Sequence, residues 1–182
     1  SSGAVSVKSG NADGGGHSGS VTISSGQASR GSSGSLTIQS GHSIEGTSGS
    51  VLLSVGRSSA APGGDITLHA GNSNSGTGGK VSIQSGKNDN SGISGSVYLG
   101  SANGAIGSGD IKVLTGSSSM GSSGSIKIQV GPSVQGSTGD IAVNIGATES
   151  GSGGGVFLEA GDSFAASGGH VSMKAGDGAA GG

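Results

Sequence analysis

Four histidines, ten carboxylates and abundant serine are the side chains of this chain that would bind a metal, shuttle a proton or attack a carbonyl. The histidines (His17, His42, His69, His170) fall at four different phases of a fifteen-residue repeat, and no Asp or Glu recurs beside them. A metal centre needs three or four such ligands converging, so they read as surface residues. Asp65, Asp110 and Asp140 share one phase, just before an aliphatic residue, but the neighbouring repeats carry Lys80, Ser125 and Gly155 there. The carboxylates are therefore not contiguous, and the Gly-Gly-x-Gly-x-Asp nonapeptide of calcium β-rolls is absent. Asp162 and Asp177 do recur one repeat apart, and read as a solvated pair. Lys112 and Lys127 also share a phase, an unfavourable like-charge pair that Asp110 and Asp140 offset. Serine has no His and Asp set at triad spacing and no nucleophile elbow between a strand and a helix. The glycine-rich stretches lead into no helix, so they cannot cradle phosphate on a helix N-terminus. These patterns predict a non-enzyme without metal or cofactor.

The element that must carry these residues is the repeat itself. A glycine precedes each aliphatic pair at Gly3, Gly19, Gly34, Gly49, Gly64, Gly79, Gly95, Gly109, Gly124, Gly139, Gly154 and Gly169. Successive steps are 15 residues, except for 16 at Gly3–Gly19 and Gly79–Gly95 and 14 at Gly95–Gly109. Two residues after the glycine comes one aliphatic residue and two further on another, and a fixed short period of this kind marks a repeat array. The alternation in Ser35-Leu36-Thr37-Ile38-Gln39-Ser40 is that of a half-buried strand. Its third inward position is small or apolar (Ser40, Val55, Ala70, Thr115, Val130, Ile145). A turn glycine and a polar segment such as Asn72-Ser73-Asn74-Ser75-Gly76 follow, and the second residue of that segment reads as facing inward as well.

Fifteen residues are too few for a strand, a helix and two connections, which excludes a leucine-rich-repeat horseshoe. They suffice for one flattened turn of a solenoid. The expected fold is therefore all-β: a parallel β-solenoid, or β-helix, of about twelve rungs with a narrow two-sheet cross-section, on the order of 58 Å long at about 4.8 Å per rung. Its core ladder is Val21, Ile23, Leu36, Ile38, Val51, Leu53, Ile66, Leu68, Val81, Ile83, Ile111, Val113, Ile126, Ile128, Ile141, Val143, Val156 and Leu158. The one-residue slips at 11–18, 88–93 and 100–109 are expected to be absorbed as bulges in turns. Residues 1–182 form one array, and both ends fall inside the repeat without caps, which points to a segment of a longer array or a filament whose ends pair with further copies.

Composition agrees with this picture and removes others. Gly and Pro make up 46 of 182 residues, a share that without a period would signal a low-complexity disordered chain. The glycines of one repeat, Gly26, Gly31, Gly34 and Gly41, do not fall at every third position, which excludes collagen. A net charge of −2 offers no basic patch for nucleic acid or an anionic membrane. No apolar run reaches the roughly 18–20 residues of a membrane span. The absence of cysteine excludes disulfides and thiolate sites. There is no signal-peptide pattern, and the first residue is Ser rather than Met, which points to a processed or excised segment.

The outward rows suggest uses for such an object. The central outward row holds Thr22, Thr37 and Thr67, a candidate ice face, but Leu52, Tyr98, Lys112, Lys127 and Phe157 interrupt it. Leu52, Tyr98 and Phe157, with Ile44, Val134 and Phe164 on the opposite wall, are candidate lateral contacts to sister copies or a matrix. Phrases such as Ser123–Gly131 (Ser-Gly-Ser-Ile-Lys-Ile-Gln-Val-Gly) and Gly63–Gly71 (Gly-Gly-Asp-Ile-Thr-Leu-His-Ala-Gly) resemble the Gly/Ser-rich repeat arrays of diatom and other algal cell-surface proteins and of phage tail fibres. The resemblance covers the whole chain and implies an extracellular, elongated, structural or adhesive role. The expected function is a rigid structural or adhesive fibre segment that associates end to end and laterally and touches glycans or extracellular matrix. Ice binding and a glycan-contacting tail-fibre or stalk segment are the alternatives.

Overall fold

A computed structural model of the chain describes residues 2–178. It divides into two compact units, Ser1–Ser96 and Val97–Gly182. Within each unit, extended stretches carrying the aliphatic pairs alternate with polar segments. The polar segments turn at tight bends, including 44–46, 59–61 and 74–76 in the first unit and 119–121, 134–136 and 164–166 in the second.

The expected parallel β-solenoid is not what forms. Among the described residues there is no helix and no strand. Backbone-to-backbone hydrogen bonds join Gly79 N–H to Gly71 O at 2.8 Å, Gly95 N–H to Gly86 O at 2.9 Å and Gly169 N–H to Gly161 O at 2.8 Å. Each closes a loop inside one repeat, and none links an extended stretch to the equivalent stretch of the next repeat. The rung-to-rung ladder that defines a β-solenoid is therefore missing among the described residues. The physical reason lies in the repeat's own composition. Forty-four glycines raise the entropy lost on ordering the backbone, while a repeat offers only about two to four large aliphatic side chains in return.

Surface area makes the same point. A folded chain of 16.7 kDa exposes about 7,600 Å² and its fully extended form about 24,000 Å². This chain exposes 18,226 Å², and no described residue is buried. The ladder from Val21 to Leu158 is thus not a core.

The period-2 alternation nevertheless survives in graded form. From Val21 to Val171 the first aliphatic of each repeat is 51–61% exposed, and from Ile23 to Leu158 the second is 66–77% exposed. The outward Leu52, Tyr98 and Phe157 are 87–92% exposed. The third inward position is more covered again: Val55 and Val130 are 46% and 37% exposed, and Ser40, Ala70, Ser85, Thr115 and Ala160 are half-buried. Each repeat has an inner and an outer side without having an interior.

Candidate functional site

The organised part of each repeat is the loop between two extended stretches. At its bend a side-chain oxygen accepts a backbone N–H three residues on. Ser43 Oγ accepts from Gly46 at 3.1 Å, Ser58 Oγ from Ala61 at 3.2 Å and Ser73 Oγ from Gly76 at 2.9 Å. In the second unit Ser118 Oγ accepts from Gly121 at 3.0 Å and Ser163 Oγ from Ala166 at 2.9 Å. Asn88 does the same with Oδ1, which accepts from both Asn90 and Gly92 at 3.0 Å. A short side chain that hydrogen-bonds its own downstream backbone is the driving force of a hydroxyl or amide turn.

This phase of the repeat is the second residue of the polar segment, whose sequence pattern suggests an inward position. Its task is different: it holds the bend. The sequence does carry the signal. Nine residues after the opening glycine the chain reads Ser43, Ser58, Ser73, Asn88, Ser118, Ser133, Thr148 and Ser163, all side chains with an acceptor oxygen, while Ala12, Ala28, Gly104 and Gly178 depart. Gly31 ends the Ala28 bend at φ 87°, a left-handed conformation that a β-branched residue would strain.

Below the bend, the loop closes at a neck. The glycine that opens each repeat rests on the third inward residue of the repeat before it. A side chain starting at Gly34 would lie 3.6 Å from Ser25 Cβ, and at Gly49 3.6 Å from Ser40 Cβ. At Gly64 the nearest atom is Val55 Cγ1 at 3.0 Å, and at Gly154 it is Ile145 Cγ2 at 3.2 Å. The three necks that add a backbone hydrogen bond lie over Ala70, Ser85 and Ala160. The necks over Ser25, Ser40, Val55, Thr115, Val130 and Ile145 lack that bond.

The register slips fall in these loops. Inserted residues lengthen the loops before Gly19 and Gly95, yet the contacts to Ser9 and Ser85 persist at 3.8 and 3.4 Å. The fourteen-residue step is different. Nothing lies within 4 Å of Gly109, and a side chain at Gly104 would collide with the Gly107 carbonyl. The shortened loop turns so tightly that its neck contact is lost.

The chemistry-bearing residues are dispersed around this scaffold. His42 lines an open recess of about 530 Å³ with Ile38, Ser40, Ser48 and Val51, between the end of one extended stretch and the start of the next. It has no second imidazole or carboxylate there, and among the described residues no group of three or more His, Cys, Asp or Glu converges to hold a metal ion. Lys112 Nζ lies 3.2 Å from Asp110, Lys174 Nζ lies 3.0 Å from Asp177, and Lys87 pairs with Asp89. All are exposed pairs within one repeat, which contribute little to stability. Asp177 thus faces Lys174 and not Asp162.

The candidate lateral contacts divide into two kinds. The Tyr98 ring lies over Gly100, and the Phe157 ring lies 3.0 Å from where a Gly155 side chain would begin. Each aromatic leans over a glycine two residues away in its own stretch while its ring stays exposed. Leu52 and Phe164 project freely, Phe164 from the bend at 164–166. Thr22, Thr37 and Thr67 stand on the outward side of their extended stretches and are exposed. Among the described residues no helix is long and apolar enough to cross a membrane. No protein-family model, no curated protein and no solved structure matches this chain.

Proposed function

We propose that this chain is a structural or adhesive element of an extracellular fibre, in which the fifteen-residue unit serves as a repeated spacer and contact module. The observation that carries this reading is the recurrence of one bend, with its side-chain acceptor, at the same phase of successive repeats. An enzyme concentrates unlike residues at one place, whereas this chain distributes the same few side chains evenly along its length. The polar segments expose hydroxyl and amide groups suited to hydrogen bonding with glycans or a hydrated matrix. The aliphatic rows remain available for association with other chains.

The test is where the protein resides. An antibody against the repeat is applied to cells, to soluble medium and to insoluble extracellular material from the source. Recovery in the insoluble extracellular fraction supports the structural role. Recovery as a freely diffusing intracellular protein overturns it.

A further inference from the structure

We infer that the aliphatic rows are a self-association surface whose occupant is a second copy of this chain. The inference deepens the structural role above and rests on it for its biological meaning. It begins from what the chain leaves uncovered. In the first unit the pairs Val21/Ile23, Leu36/Ile38, Val51/Leu53, Ile66/Leu68 and Val81/Ile83 all remain more than half exposed, as do Val5 and Val7.

Area comes first. Fully burying an aliphatic side chain removes about 60–120 Å² from water, so two-thirds exposure leaves about 60 Å² per side chain. Twelve such side chains in one unit make about 700 Å², close to the ~800 Å² that each partner contributes to a stable interface. The second unit carries an equal set from Val97/Leu99 to Val171/Met173.

Period selects the partner. A surface that covers successive pairs must present its own apolar residues at fifteen-residue spacing along the chain, interrupted by polar loops at the same interval. A second copy has that spacing by construction of its sequence, including the 16- and 14-residue steps.

The backbone selects it again. The extended stretches make no backbone hydrogen bonds to one another among the described residues, so their N–H and C=O groups, hydrated in the single chain, are free to pair with another strand. An extended stretch from another copy supplies donors and acceptors together with apolar cover, as strand-adding peptides do. Charge does not oppose the encounter. The two aliphatic positions carry no ionisable residue in any repeat, and the net charge is only −2 over 182 residues.

The experiment is sedimentation velocity on the full chain over a concentration series, with the variants Ile66→Lys, Ile126→Lys and the pair Tyr98→Ser/Phe157→Ser. The wild type is expected to shift from monomer to dimer or larger species as concentration rises. Each Ile→Lys variant loses about 60 Å² of apolar contact and is expected to raise the dissociation constant at least about tenfold. The aromatic pair stands on the other side of the stretches from the aliphatic rows and is expected to change it less than either Ile→Lys variant. Neither isoleucine is part of a core, so the substitutions leave nothing to unfold. A wild type that stays monomeric throughout overturns the inference, as does weakening by the aromatic pair but not by the Ile→Lys changes. A monomeric chain recovered from insoluble extracellular material would sink this inference and leave the structural role standing. A self-associating chain found free inside cells would do the reverse.

Discussion

Ala70→Val should open the neck of the loop 71–79. In this loop the Gly79 N–H donates to Gly71 O at 2.8 Å, and Ala70 Cβ lies 3.2 Å from where a side chain on Gly79 would start. Valine adds two γ-carbons at that spot; of the necks opened by Gly63-Gly64, Gly78-Gly79 and Gly168-Gly169, the two over alanine have the backbone bond and the one over Val55 does not, while the Ser-Gly necks over Ser25 and Ser40 also lack it. Losing one such bond costs about 0.5–1.5 kcal/mol, which raises the opening equilibrium of the Gly79 amide about two- to tenfold. Amide hydrogen exchange read by NMR measures this directly. Gly76 is the internal control, because its N–H is held by Ser73 at the bend and does not depend on the neck. The reciprocal change, Val55→Ala, should create the missing bond and slow exchange at Gly64 by a similar factor. Unchanged exchange at Gly79 in the first variant and at Gly64 in the second would show that the third inward residue does not set the neck.

Three further outcomes test other parts of the loop and its surface. Ser73→Ala removes the acceptor for Gly76 and should speed exchange at Gly76 about two- to tenfold while Gly121, held by Ser118 in the other unit, is unaffected. Gly31→Val should destabilise the Ala28 bend by about 1 kcal/mol or more, seen as shifted resonances confined to residues 26–34, because φ 87° disfavours a β-branched residue. The outward row Thr22, Thr37 and Thr67 is interrupted by Leu52, Tyr98 and Phe157, so the wild type should show no thermal hysteresis in ice-growth measurements. A measurable hysteresis that Thr37→Tyr removes would restore ice binding as the function.

The sequence conveyed the period and the two-sided character of each extended stretch far better than it conveyed the fold. Val21 and Ile23 are indeed more covered than Leu52 or Phe157, because alternation along extended backbone is a local property that needs no neighbouring rung. Alternation does not by itself imply stacked rungs. The sparse aliphatic residues of each repeat do not hold successive turns together against the entropy cost of so many glycines. The bend was legible in a different way. Ser43, Ser58, Ser73, Ser118 and Ser163 share one phase with Asn88, Ser133 and Thr148, and that recurrence of acceptor side chains is its cue.

The short step at Gly95–Gly109 shows why such a chain keeps its register without a core. There the neck contact is lost and the loop tightens at Gly104 and Gly107, yet Ile111, the first aliphatic residue after it, is 52% exposed. Ile126 and Val156, which follow regular steps, are each 52% exposed too. A length error therefore ends within the loop that contains it, because the loop takes up the missing residue in its own turn, here at the cost of its neck contact. In a ladder of paired rungs, a missing residue would shift the partners of every strand beyond it unless a bulge took up the difference. Loops that close independently need no such compensation. The same independence leaves the aliphatic pairs of each repeat without cover from their neighbours, so the feature that tolerates slips is also the one that leaves the chain dependent on a partner.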